Sequence, residues 1–192
     1  MLLPLSMAMP IIGDDNRERV RTAPAQYTPY LQSVVALVSK SKITQLNNSA
    51  SFNFKEISSF SQEFENSFFS GELCESERFY DDPVIADCSG FLVAPDIIAT
   101  AGHCIKTTKD CQNTSVIFDL AYKKGEYKLP QTIASENIYS CKEIIKHQLI
   151  DQTNAHEDFT LIRLERPVVG RLPLKLNTEG KVSGSVLNLV EI

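Results

Sequence analysis

The chain has 192 residues, of which 43% are hydrophobic and 22% are charged, with a net charge of −5 at pH 7 and a pI near 5.3. This length supports one well-buried core. The acidic balance, without a basic stripe, argues against nucleic acid as a partner. The longest apolar run is too short for a membrane-spanning helix.

The first ten residues, MLLPLSMAMP, are apolar and lack the Lys or Arg that opens a signal peptide. We interpret residues 1–10 as the remnant of a secretion signal. The alternative is a frayed, hydrophobic terminus of a cytosolic protein. We therefore expect a secreted or periplasmic protein whose folded domain occupies residues 11–192.

The N-terminal third of that domain has little strand character. Residues 11–30 are polar with two prolines and predict an extended arm, and residues 33–38, SVVALV, predict a first strand. The segment 41–80 is rich in Ser, Asn and Phe and lacks strand alternation. Apolar residues recur within it at steps of three and four, which predicts a short amphipathic helix. These residues are Ile57, Phe60, Phe64 and Phe68.

After Pro83 the chain is dominated by short apolar runs with strand character, separated by Gly, Pro and Asn. The pattern predicts an all-β fold, a six-stranded antiparallel barrel, with an irregular or short-helical insertion around residues 41–80. Residues 167–173, PVVGRLP, predict a connecting loop. The predicted strands are residues 91–95, 97–100, 115–122, 137–145, 159–164 and 185–192.

Five cysteines, at positions 74, 88, 104, 111 and 141, raise the question of a metal site or disulfides. The Cys-x-x-Cys spacing of a zinc site is absent, and we take His103 and its neighbour Cys104 as too close in sequence to share a metal. We expect no metal and no cofactor. Free buried thiols and the disulfides of a secreted domain remain as alternatives, and the odd count leaves one thiol over.

One histidine stands where a catalytic base would be placed. Residues 88–104 read CSGFLVAPDIIATAGHC, which predicts a strand, a turn at Pro95-Asp96, a second strand and then His103. The small residues Ala101 and Gly102 let the backbone turn closely at that point. Such a histidine suits a general base, although a lone histidine at a strand end is more often a surface or capping residue.

A carboxylate stands at the mouth of a later strand. Asp158 opens the run DFTLIRL, and a carboxylate there can accept the imidazole N–H and stabilise the imidazolium. Asp151 is the competing carboxylate, but no strand of that pattern follows it. We interpret the remaining histidines, His147 and His156, as surface residues.

Together these stretches closely resemble the histidine and aspartate boxes of the trypsin-like (chymotrypsin-clan) serine proteases. The family patterns are Cys-Ser/Gly-Gly followed by Leu-Thr-Ala-Ala/Gly-His-Cys, and then Asp-Ile/Phe-Ala-Leu-Ile-Arg/Lys-Leu. The resemblance implies a chymotrypsin-like fold, protein or peptide substrates, and His103 and Asp158 as two members of the catalytic triad, in the order typical of the clan. Residues 11–20 and 73–91 also look like segments of bacterial members.

The resemblance singles out one disulfide, Cys88–Cys104. We take Cys111–Cys141 as the second pair, which leaves Cys74 free.

The family needs a third element, Gly-Asp/Asn-Ser-Gly, which carries the nucleophile and the oxyanion hole. No such string occurs in the sequence, and Ser183 and Ser185 lack that turn. We therefore predict a truncated trypsin-like serine endopeptidase, the first barrel only, inactive alone because nucleophile, oxyanion hole and specificity pocket are absent. A non-catalytic pseudoprotease binding module is the alternative. An apolar flank left by the missing barrel would favour self-association.

Overall fold

The computed structural model describes residues 22, 24–52, 57–66, 73–120, 130–152 and 155–177. The predictions for the signal remnant, the polar arm up to residue 21, Phe68 of the predicted helix, the last strand and the serines at 183 and 185 lie outside these residues. The extended arm is wrong for residues 25–31, which are helical, because Pro29 stands in the first turn of a short helix, where proline is favoured. The strands are β1 Val34–Ser39, β2 Ile43–Gln45, β3 Ser49–Phe52, β4 Cys88–Ala94, β5 Ile97–Thr100, β6 Thr114–Phe118, β7 Thr132–Ala134, β8 Ile138–Gln152 and β9 Ala155–Leu164. The helices are α1 Thr28–Leu31, α2 Phe60–Asn66 and α3 Thr108–Asn113, and 3₁₀ turns occupy Ala25–Tyr27, Lys40–Lys42 and Ser135–Asn137.

Six antiparallel strands form a closed barrel in the order β1-β4-β5-β9-β8-β6. This confirms the predicted all-β, six-stranded barrel. Side chains from alternate strand positions fill the barrel, as on β9, where Thr160, Ile162 and Leu164 are buried. The ring of Phe118 meets the ring of Tyr139 edge-on, with centroids 5.5 Å apart. The barrel core consists mainly of Val35, Leu37, Leu92, Ile98, Ile105, Val116, Phe118, Tyr139, Ile162 and Leu164.

The insertion around residues 41–80 has more regular structure than its sequence suggests. Strands β2 and β3 lie within it and pair with β7 in a separate three-stranded sheet, so the irregular segment was predicted too broadly. Phe52 and Ile133 from this sheet are buried in a second apolar cluster on the outside of β1. The predicted helix is present as α2.

Strands β8 and β9 form a hairpin that extends beyond the barrel. Register shifts fall between Cys141 and Glu143 and between Ile144 and Lys146, and such bulges bend a strand and increase its twist. The outer part of the hairpin is mostly polar and exposed. The apolar pattern therefore predicted a strand only over residues 137–145, whereas β8 continues to Gln152.

The turn predicted at Pro95-Asp96 joins β4 to β5, and the loop predicted at residues 167–173 is confirmed. Backbone hydrogen bonds tie this loop to the barrel, from Val168 N to Pro95 O at 2.7 Å and from Leu174 N to Leu92 O at 2.8 Å. None of the helices in the described ranges is long and apolar enough to cross a membrane.

Both predicted disulfides are confirmed. The Cα atoms of Cys88 and Cys104 lie 6.2 Å apart, and those of Cys111 and Cys141 lie 5.2 Å apart. The first bridge joins β4 to the loop that carries His103, and the second joins α3 to β8. Cys74 is free and exposed, as predicted.

Candidate active site

The loop that follows β5 carries His103. Residues 101–104 form a turn closed by a hydrogen bond from Cys104 N to Ala101 O at 3.2 Å. Beyond the turn, Thr107 caps α3 in a capping box with Asp110. The hydrogen bond from the Thr107 side chain is the main reason that the pKa of Asp110 lies below its ordinary value. The disulfide at Cys104 and this cap both restrain the chain that follows His103.

Asp158 holds His103 at two points. The Asp158 Oδ2 atom lies 2.7 Å from the Nδ1 atom of His103, and its Oδ1 atom accepts a hydrogen bond from the His103 backbone N–H at 2.9 Å. The structure therefore brings the two predicted site residues together at the barrel rim. The His103 side chain is 37% exposed and that of Asp158 is 41% exposed, so the pair is open to solvent on one side.

The same contacts set the ionisation of Asp158. Burial opposes its charged form, but the hydrogen bonds from the side chain and backbone of His103 outweigh burial, and the pKa of Asp158 lies below its ordinary value of 3.8. Asp158 is accordingly an anion at neutral pH. A carboxylate bonded to Nδ1 can fix the tautomer of the ring and stabilise an imidazolium.

The other two histidines differ from each other. His156 contacts Asp151 at 3.0 Å across the tip of the β8–β9 hairpin, and both side chains are exposed, as predicted. His147 is half-buried and its Nδ1 atom lies 2.8 Å from the hydroxyl of Thr160. The prediction that His147 is a surface residue is therefore wrong, because β8 runs further along β9 than its apolar pattern indicated.

His103 and Cys104 are near enough in space to contact one metal ion, contrary to the expectation from their adjacent positions in the sequence. One ligand atom each from Cys88, His103 and Cys104 lies within 4.8 Å of the others. The two sulfur atoms are bonded to each other in a disulfide, however, and metal ligation needs thiolates. The cluster therefore offers His103 alone as a ligand while the bridge is intact.

A closed six-stranded antiparallel barrel with a histidine and an aspartate paired at its rim has the architecture of a single chymotrypsin-like barrel. Comparison with known families agrees, since the family model described as Trypsin matches residues 81–185, more than half of the chain. The chain belongs to this family of trypsin-like serine proteases. It is also 35% identical to mast cell protease 8 of Mus musculus over 89 residues, which is 46% of this chain and 31% of that protein. The match thus spans about a third of the relative's length.

Proposed function

We propose that this chain supplies the general-base half of a serine endopeptidase, with His103 as the base and Asp158 as the carboxylate that orients it. The observation that carries the proposal is the two-point contact between the residues, at 2.7 Å to the ring and 2.9 Å to the backbone. An aspartate that holds both the ring and the backbone of one histidine restricts the imidazole to a single orientation. Family membership supports protein or peptide substrates.

In the proposed mechanism, Asp158 accepts a hydrogen bond from Nδ1 of His103, which leaves Nε2 free to contact the nucleophile. His103 takes the proton of the attacking serine hydroxyl through Nε2 and later returns it to the leaving amine. Asp158 remains ionised and stabilises the imidazolium formed between these steps. The exposed side of the pair gives substrate and nucleophile access to the ring.

His103 and Asp158 do not themselves supply the nucleophile. The sequence contains no Gly-Asp/Asn-Ser-Gly string. We propose that hydrolysis requires a second, serine-bearing barrel and that the 192-residue polypeptide is inactive by itself. A base accelerates acyl transfer only with a nucleophile in reach, and loss of one oxyanion-hole donor alone typically costs about 10²–10³ in rate.

Two further parts of the proposal concern location and association. The two disulfides support a secreted or periplasmic protein, because such bridges persist in oxidising compartments.

Exposed apolar side chains at Val169, Leu172 and Leu176 support a face that packs against the second barrel. Through the same face, the isolated chain should associate with itself. Sedimentation at increasing concentration tests the association: a strictly monomeric chain would exclude it.

A serine-directed fluorophosphonate probe tests the proposed division of labour. The isolated chain should not be labelled, whereas the chain joined to the serine-bearing barrel of a trypsin-family protease should be labelled stoichiometrically. His103→Ala should abolish labelling of the joined protein. Labelling of the isolated chain that disappears in His103→Ala would instead show that one of its own serines is the nucleophile, with Ser183 and Ser185 as the first to replace.

A further inference from the structure

Thr160 carries a buried hydroxyl that joins two other parts of the barrel. Its side chain is fully buried, and its Oγ1 donates to the carbonyl oxygen of Ile105 at 2.9 Å and lies 2.8 Å from Nδ1 of His147. A hydroxyl has one proton and a carbonyl oxygen can only accept, so the proton of Thr160 is committed to Ile105. His147 must then donate from Nδ1, which defines its neutral tautomer.

This chain of hydrogen bonds lies beside the candidate site without touching its reacting groups. Ile105 follows His103 by two residues, and Thr160 follows Asp158 by two residues on the same face of β9. On β8, His147 is the register partner of Thr160. The three groups therefore connect the loop that carries His103, the strand that carries Asp158 and the strand behind them.

We propose that Thr160 and His147 are positioning residues that fix the imidazole of His103 against Asp158, by anchoring the backbone after His103 to β9. Without the Thr160 hydroxyl the backbone carbonyl of Ile105 loses its hydrogen bond to β9. The loop is then held by Asp158, the Cys104 bridge, the buried Ile105 side chain and the cap of α3. The proposal rests on the proposed function only in treating the pair as catalytic. The anchoring itself belongs to this chain and can be measured without hydrolysis.

Nuclear magnetic resonance on the full chain tests both steps. The ¹⁵N shifts of His147, at a pH where the ring is neutral, should show Nδ1 protonated and Nε2 unprotonated. Exchange of the His103 Nδ1–H with water should become at least tenfold faster in Thr160→Val, which keeps the side-chain shape and removes the hydroxyl. His147→Phe should speed the exchange less than Thr160→Val does, because Thr160 keeps its bond to Ile105 but loses the donor that holds its hydroxyl.

Conservative variants and one matched control separate positioning from general destabilisation. Thr160→Ser keeps the hydroxyl, and His147→Asn keeps an N–H donor at the place of Nδ1, so both should retain slow exchange. Thr114→Val removes another hydroxyl bond to a backbone carbonyl, that of Asp110 at 2.8 Å, at the C-terminal end of α3 and apart from the capping contacts between Thr107 and the Asp110 side chain. It should leave His103 exchange unchanged.

An Nε2-protonated His147, or unchanged His103 exchange in a folded Thr160→Val variant, would overturn the proposal. If Thr160→Val does not fold, the exchange rates of the His103 Nδ1–H in His147→Phe and His147→Asn are compared instead. Equal rates in these two variants would also overturn the proposal. These outcomes are independent of the proposed protease function. The proposed protease function would instead be refuted if this chain joined to a serine-bearing barrel hydrolysed no peptide, whatever the exchange rates are.

Discussion

Gly102 stands directly before His103 where three strand segments meet, and replacing it by alanine gives a sharp prediction. A Cβ atom there would lie 3.0 Å from Asp158 Oδ1 and 3.0 Å from Phe159 N, and closer still to the carbonyl oxygen of Gln148. Two of these atoms are backbone and the third is the carboxylate oxygen that binds His103. No change of rotamer on a long side chain relieves the contacts, so the loop must move away from the β8–β9 hairpin.

The size of the effect follows from that displacement. The Gln148 contact alone requires a shift of about 1 Å to reach ordinary van der Waals separation. Overpacking of this kind typically costs about 1–3 kcal/mol in the free energy of unfolding, which for a chain of this length lowers Tm by about 2–12 °C. A 1 Å error at a catalytic group costs about 10²-fold in rate, so the completed enzyme should lose that much in kcat. The family pattern accepts Ala or Gly here, but this chain should require Gly.

Thermal unfolding followed by circular dichroism, together with exchange of the His103 Nδ1–H, measures the change. Gly170→Ala is the matched control, because Gly170 has a φ of +77° and nothing within 4 Å of its added Cβ. That control should lose about 1–2 kcal/mol from left-handed backbone strain with His103 exchange unaltered. If Gly102→Ala keeps the wild-type Tm and exchange rate, the argument from close approach is wrong.

Two further predictions concern charge and covalent linkage. The pKa of folded Asp158 lies below its ordinary value of 3.8, so the stabilisation that its charged form provides is present above that value and is lost as the pH falls through the folded pKa. The free energy of unfolding, measured in urea, should therefore fall more steeply below about pH 4 in wild type than in Asp158→Asn. Replacing Cys111 and Cys141 together by serine opens a bridge of sequence separation 30 and should reduce the free energy of unfolding by about 3–4 kcal/mol; a loss under about 1 kcal/mol would contradict that chain-entropy account.

The sequence was informative where residues have one dominant role. The apolar runs of β1, β4, β5 and β9 predicted their strands because short apolar runs bounded by turn residues are typical of buried strands. His103 and Asp158 were identified because each stands within a recognisable box. His103 follows β5 as predicted, whereas Asp158 lies inside β9, which begins at Ala155 rather than at the predicted residue 159. The resemblance also singled out the Cys88–Cys104 disulfide, and Cys111–Cys141 was taken as the second pair.

Other features depend on contacts that no local pattern contains. The outer half of β8 is mostly polar, and only its pairing with β9 makes it a strand. Strand β2 has only three residues, but β3 does alternate, with Ala50 and Phe52 buried, and this short signal was missed. The helix α3 had a local signal that was missed, the Thr107-x-x-Asp110 capping box. The burial of His147 could not be predicted, since its partner Thr160 lies in another strand.

The central claim is that Asp158 orients His103 as the base of a serine endopeptidase. Its most direct test is the kcat of peptide hydrolysis by this chain joined to a serine-bearing second barrel, measured with and without Asp158→Asn. The amide keeps the size of the side chain but favours the wrong imidazole tautomer. We predict a fall in kcat of about 10⁴-fold, while an Asp158→Asn enzyme with wild-type kcat would contradict the account.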